Sequence, residues 1–408
     1  MGGASVADSA DPSANYYNPA ALSAVDRLQI SLGYFRADHR LYLNDKDTRV
    51  DPVKGLNVAL AVPGKVLGVP VAFGLALHLP DDRVSRVRAL RQEQPRWELY
   101  DNRNQRLYLA ANLAIRPVSW LEIGGGLSFM SSTRGRLDIT GQANIFSPLN
   151  STLRHEVDAD LTSIRYPQFG IRAHLTKRAR VGMTYRGEFQ LGLDLKARLN
   201  GDISSLTTAL YDLSTSSVNA FLPRQVALGG SWDVTDRFRA NFDVTWFNWA
   251  AYIPPVAKLD VVLDIPPPSG GWPAGITPPA QPASTVIVPL NMSDRLVPHL
   301  GVEWHAIAEH RVDLFVRGGY EFAKSPIPPQ TRTTNYIDLD RHTGSLGLGV
   351  AWRPRSSFYR GELKLDTHLQ WSELVARTTE KEDPADFIGD FRAHGRIINF
   401  GTTLTVGF

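Results

Sequence analysis

The chain is predicted to be all-β, a 14-stranded antiparallel transmembrane β-barrel, on three observations. Segments of strand length alternate apolar residues with small or polar ones from Arg27 to Phe408. The connections between them are short and long by turns. The chain of 408 residues, 43% hydrophobic, holds no run of about 18 apolar residues, which excludes a transmembrane helix. Barrel strands escape such a scan, because their alternation averages to ordinary hydropathy.

The first strand is Arg27–Arg36, with Leu28, Ile30, Leu32 and Tyr34 on one face and Gln29, Ser31 and Gly33 on the other. Leu56, Val58, Leu60 and Val62 repeat the pattern against Asn57, Ala59 and Ala61. After a turn at Gly64, Val71, Phe73, Leu75 and Leu77 alternate with Ala72, Gly74, Ala76 and His78 in a third strand, Val69–Pro80. The next are Asn104–Arg116, Trp120–Ser131, Ser163–Thr176, Arg180–Gly192, Arg224–Asp233 and Arg237–Phe247. Leu296–Ala306, Arg311–Phe322, His342–Arg353, Arg360–Ser372 and Arg396–Phe408 complete an even number, as a barrel with both ends on one side requires.

Connections after even strands are short, such as Pro117–Ser119, Lys177–Ala179 and Val234–Asp236. Those after odd strands are long: Asp81–Arg103, Ser132–Thr162, Leu193–Pro223, Asn248–Arg295 and Glu373–Gly395. A soluble sandwich has no reason to sort its loops this way, whereas an outer-membrane barrel has periplasmic turns and extracellular loops. Trp120, Trp232, Trp246, Trp249, Trp352 and Trp371 fall near strand ends, where an amphipathic ring suits the headgroup level.

Composition narrows the function. No linker divides the chain, and a net charge of +3, evenly spread, gives no footprint for nucleic acid. There are no cysteines, in keeping with an oxidising compartment. No P-loop, His-Glu-x-x-His or Gly-x-Ser-x-Gly occurs, so neither an enzyme nor a cofactor is expected. The acids of His155–Asp160 and of Glu380–Asp390 read as solvated segments rather than metal ligands.

Residues 1–25 are rich in small residues and turn formers and have no amphipathic period, so they pack inside something else. Ala10-Asp11-Pro12-Ser13-Ala14 followed by Tyr17-Asn18-Pro19-Ala20-Ala21-Leu22 resembles the N-terminal hatch of the FadL/TodX (OMPP1) family of outer-membrane channels for hydrophobic compounds. Leu222-Pro223-Arg224 with Asn241–Trp246, and Arg317-Gly318-Gly319-Tyr320 with Ser325-Pro326-Ile327-Pro328, Asp340-Arg341 and Ser345–Gly349, resemble further family segments in order. The terminal Leu404-Thr405-Val406-Gly407-Phe408 resembles the signal read by the outer-membrane assembly machinery at Phe408.

The resemblance implies a hatch at 1–25 inside a barrel at 26–408, located in the cell outer membrane after removal of a leader peptide. It implies passive uptake of long-chain fatty acids or other hydrophobic molecules, hydrocarbon or detergent-like, with release into outer-membrane lipid through a gap where the third strand kinks inward. Carried onto this chain, the gating and ligand-binding candidates are Asn18 and Pro19 in the hatch and Phe73, Gly74 and His78 on the third strand. A short amphipathic helix at 206–213 is expected to offer Leu206, Leu210, Tyr211 and Leu213 to a capture groove. The loop 253–289, with Pro266-Pro267-Pro268 and Pro278-Pro279, departs from the pattern and is expected to be irregular, with no ladder of its own. That loop motivates an alternative, a scaffold of the same fold that anchors or delivers surface proteins. An outer-membrane lipid enzyme is the remote third.

Overall fold

The computed structural model describes the chain apart from residues 83–92, 102–106, 143–151, 204–206, 255–257, 272–287 and 355–360. Within 131–164, 191–203, 208–209, 211–220 and 258–261 it describes the backbone alone.

The wall begins with β1 (Gln29–Leu43), β2 (Val53–Val66), β3 (Val69–Pro80), β4 (Tyr108–Val118), β5 (Leu121–Gln142), β6 (Thr152–His174) and β7 (Ala179–Arg186). It continues with β8 (Gln225–Thr235), β9 (Phe238–Phe247), β10 (Arg295–Ala308), β11 (Val312–Ala323), β12 (Arg341–Trp352), β13 (Glu362–Thr379) and β14 (Phe391–Gly407). Each pairs antiparallel with its neighbour, and β14 returns to β1 from Gln29↔Gly407 to Leu43↔Ala393, closing the ring of 14 strands. Closure satisfies every ladder group internally, as a lipid-embedded sheet requires.

The alternation lays a greasy skin outside. Ile30 and Leu32 on β1, Leu113 and Ile115 on β4, and Leu346 and Leu348 on β12 are exposed at two-residue spacing, as are Phe400 and Leu404 on β14 at twice that. On a soluble protein this area would drive association; around a barrel it meets lipid. Trp120, Trp232, Trp352 and Trp371 are exposed as expected of a girdle, but Trp249 is buried in the packing of the loops.

Several local expectations are corrected. The seventh strand does not run to Gly192: it stops at Arg186, and a second strand starts at Phe189. Between them the Gly187 amide donates to Pro167 O at 2.8 Å. A side chain at Gly187 would lie 2.9 Å from Pro167 Cδ, so only glycine fits this bend. Segments expected as long loops are largely β. β5 and β6, at 22 and 23 residues, outrun the roughly 9–11 that cross a bilayer. Phe189–Ile203 and Thr207–Leu222 form a hairpin beyond the membrane span.

The expected helix at 206–213 is therefore a strand: Thr207, Thr208 and Thr215 favour extended backbone, and Phe189–Ile203 offers a ladder that a helix would forgo. Leu206 lies outside the described residues. Lys258–Asp264, ahead of the prolines and alternating in sequence, adds to the hairpin from Leu210↔Asp264 to Ser216↔Lys258, so the 253–289 excursion does carry a ladder. Its second proline cluster is outside the described residues.

The third strand is unkinked as well. It pairs without a register shift to β2, from Gly55↔Pro80 to Val66↔Val69, and to β4, from Val71↔Ile115 to His78↔Tyr108. No gap opens there, because its small inner residues are filled from within.

The filling is the front segment. A helical turn at Ala14–Tyr17 and a 3-10 turn at Pro19–Ala24 lie in the bore, with Ala14, Ala21, Leu22 and Val25 packed on Ala61, Ala72 and Ala114 of β2, β3 and β4. A side chain at Gly74 would sit 2.2 Å from Asn15 Oδ1 and 2.6 Å from Leu22 Cδ1. Gly74→Leu is thus expected to unseat the hatch at an overpacking cost of about 1–3 kcal/mol while leaving the ladder intact. Faster proteolysis within residues 1–25, with unchanged heat-modifiable mobility of the barrel on gels, would show it.

Candidate functional site

The hatch is seated by polar side chains at strand backbones. Asn15 Nδ2 donates to Leu60 O at 3.1 Å and Leu75 O at 3.3 Å, the carbonyls of a facing pair on β2 and β3. Its Oδ1 accepts from Asn112 Nδ2 at 2.9 Å, and its carbonyl accepts from Gln168 Nε2 at 3.0 Å. Asn18 Nδ2 donates to Val6 O at 2.8 Å and to Ile171 O of β6 at 3.2 Å, while its Oδ1 caps the following turn at Ala20 N. Asp243 on β9 accepts the Ser5 and Val6 amides at 2.6 and 2.9 Å. Two hatch acids join ion pairs of the wall: Asp8 with Arg180 at 3.2 Å and Arg239 at 3.0 Å, and Asp11 with Lys364 at 3.8 Å.

Above the hatch lies part of a cavity of about 1620 Å³. Its floor there is Tyr16 and Tyr17, and its sides are Phe35, Tyr108, Met130, Tyr166 and Leu222. Met130, Tyr166 and Phe189 form a buried cluster behind it. Tyr16 is 50% exposed into this chamber although it belongs to the plug. The Arg186 guanidinium sits 4.1 Å over its ring, donating to Tyr16 O at 2.6 Å and to Gln225 Oε1 at 3.0 Å. Among the described residues no carboxylate forms an ion pair with Arg186, so its charge faces the chamber.

A cap of loops closes the far end. Arg96–Trp97, after β3, pairs in parallel with Tyr336–Ile337, before β12, so a strap crosses between distant parts of the ring. Trp97 and Tyr100 pack with Leu41, Ile337, Leu339, Leu374 and Phe391, and Leu99 also touches a second cluster around Phe221, Trp249, Tyr252 and Tyr336. Inside the strap Arg96 Nε pairs with Glu98 Oε2 at 2.7 Å, and Tyr252 OH donates to Glu98 Oε1 at 2.6 Å. Asp338 is only 1% exposed, and neither carboxylate oxygen makes a hydrogen bond of good geometry, although Ser325 and the Leu339 amide pull on it weakly. Burial raises its pKa, against the pull of Arg295 and Arg341.

The sequence-predicted residues separate into two places. Asn18, Pro19 and Gly74 meet at the hatch–wall contact, and Pro19 packs on Gly124, where a side chain would lie 2.5 Å from its carbonyl carbon. His78 lines the chamber, held by Asn57 Oδ1 at 2.8 Å and by the Phe35 ring at 5.4 Å. Phe73 is exposed on the outer face, away from the chamber. Leu210, Tyr211 and Leu213 lie on the outlying hairpin strand, so no helical groove unites them. Sequence reasoning passed over Asn15, Tyr16, Asn112, Gln168 and Arg186. The signal available was a polar side chain at an inward strand position, as Asn112 is between Leu113 and Ala111, since such groups need a partner in the bore.

A family model described as Outer membrane protein transport protein (OMPP1/FadL/TodX) matches residues 100–361. Among solved structures, a Pseudomonas aeruginosa FadL homologue is 15% identical with a TM-score of 0.56, covering 99% of this chain and 95% of that one. The Ralstonia pickettii toluene transporter TbuX is 15% identical at 0.54, covering 100% and 98%. The P. putida toluene transporter TodX is 14% identical at 0.54, covering 97% and 94%. No curated protein matches.

Two outcomes follow from the cap. Tyr252→Phe leaves the buried Glu98 short of a donor, at a cost of about 1–3 kcal/mol, and is expected to speed hydrogen exchange across 96–101. Asp338→Asn acts the other way. Because the folded state raises this pKa, its contribution to cap stability is greatest with the proton on. That contribution falls as pH climbs from the unfolded carboxylate value through the folded one. The amide is expected to slow exchange in the strap at pH 7 and to change little in acid.

Proposed function

Because the chain belongs to the OMPP1/FadL/TodX family of outer membrane transport proteins, with a family match over well over half its length, we propose that the aromatic chamber between cap and hatch is the ligand site of an outer-membrane importer. It serves passive uptake of hydrophobic molecules, long-chain fatty acids or hydrocarbons. The carrying observation is the chamber itself: an apolar space inside a sealed ring, with the Arg186 guanidinium, which no carboxylate pairs among the described residues, at its floor. Tyr108, Tyr166, Met130 and Leu222 supply apolar surface, and Arg186 supplies the counter-charge for a carboxylate head.

Ligand parts the cap, settles on Tyr16, and leaves sideways at β3 once the hatch withdraws. Supporting this exit, the wall at β2–β4 presents Ala59, Ala61, Ala72, Gly74, Ala76 and Ala110 inward, so Asn15 and Leu22 are what stand behind the ladder. Asn15 bonds the Leu60 and Leu75 carbonyls at that seam, so its departure loosens the pair it now braces. Sideways release costs a greasy molecule nothing in hydration, whereas passage to water forfeits about 0.8 kcal/mol per methylene. Phe408, exposed at the end of the last strand, serves as the assembly signal in this reading.

Labelled fatty-acid uptake in a strain lacking its own importer tests the function, and no uptake of acid or hydrocarbon would end it. Arg186→Gln is expected to weaken fatty-acid binding about tenfold, the worth of one charge-assisted hydrogen bond, and to leave a hydrocarbon unaffected. Ala59→Cys with Ala76→Cys, opposite one another on β2 and β3 in a chain without cysteine, tests the exit. Oxidation should stop release, and reductant should restore it.

A further inference from the structure

The hatch does not fill the bore. Its hydrogen bonds and ion pairs run round the wall from β2 to β13. The cavity continues past it along the inner faces of β13, β14 and β1, where Ser31, Thr403, Asp366, His368 and Gln370 line it. The lining takes in Ala37 of β1 and, at the short-turn rim, Arg27, Glu362 and Gly407.

This corridor is polar where the chamber is apolar. His368 shares its strand face with Asp366 and Gln370, opposite the lipid-facing Leu365 and Leu369, yet it too is exposed, so the bore wets it. Ser31, Thr403 and Gln370 bring hydroxyl and amide groups to the same lining, and polar groups of that kind hold water. Lys364 and Arg317 stand beside Asp366 at 3.3 and 2.6 Å, so both signs of charge are present and neither sign of solute is barred.

We propose that the corridor is a second, axial exit to the periplasm, taken by small chamber ligands whose polar group outweighs their apolar part, short aromatic or alkyl alcohols and acids, while long-chain acids follow their methylenes to the wall. The inference rests on the chamber being the ligand site. A hydroxyl leaving through the β3 window would enter hydrocarbon unpartnered, whereas in the corridor it exchanges chamber partners for Thr403, Gln370 and water. A hydrocarbon gains nothing there and keeps to the wall. One chamber thus sorts its contents by polarity, lipid-bound on one side and water-bound on the other.

The absence of cysteine makes the test direct. His368→Cys and Thr403→Cys should react with a membrane-impermeant sulfonated maleimide about tenfold faster than Ala61→Cys, which the hatch covers. The reaction should occur in cells whose periplasm has been opened and not in intact cells. Rates no faster than that of Ala61→Cys, or equal labelling from outside intact cells, would overturn the corridor as a periplasmic exit. His368→Trp should then slow delivery of benzyl alcohol about tenfold, the effect of denying one hydroxyl its partners, and leave toluene unchanged. Equal slowing of both, or of neither, refutes the sorting. If the parent protein takes up neither compound, the chamber reading fails, whereas the labelling rates judge the corridor by themselves.

Discussion

Lipid offers no hydrogen bonds, and that constraint organises the molecule. A sheet in hydrocarbon must leave no edge, so β14 pairs with β1 over the whole of β1, and the alternation that faces Leu, Ile and Phe outward gathers many polar side chains in one bore. Such a bore is crowded with groups needing partners. The hatch answers that need: Asn112, Gln168, Arg172 and Asp243 are all nearly inaccessible, and each bonds to the first eighteen residues.

The fit depends on what the wall lacks. Gly74, Gly124 and Gly170 stand where Asn15, Pro19 and Asn18 come within contact of the ladder, and no side chain larger than hydrogen leaves room. Most of the attachment is short polar bonds to backbone, each worth about 0.5–1.5 kcal/mol, rather than a deep apolar core. A plug held this way is firm in sum, and each of its bonds is individually replaceable by water.

Much of this was legible in the sequence. Period-two alternation found all fourteen wall strands, and the short turns after even strands set the topology, because both follow from local patterning. Val69–Pro80 even has the expected bounds. The misses have physical causes. Alternation does not announce where membrane ends and solvent begins, so β5 and β6 were cut short at the bilayer thickness. The apolar spacing of Leu206, Leu210 and Leu213 fits a helix turn, but the partner strand at Phe189–Ile203 overrode it. The kink expected at Gly74 is absent because a glycine that permits a bend equally permits close approach, and here Asn15 uses the space. The cap was invisible, since the pairing of Arg96–Trp97 with Tyr336–Ile337 joins loops 240 residues apart and no local rule relates them.

The strap in that cap has a mechanical consequence. Arg96 to Asp101 belongs to the loop that continues the third strand, while its anchor at Tyr336–Ile337 lies on the opposite arc of the ring. Trp97 shares one cluster with Leu41 of β1, Leu374 of β13 and Phe391 of β14, so prying it from Ile337 loosens all of them together. One clasp thus fastens stretches far apart along the chain, and the rim at that end of the ring is braced as a unit.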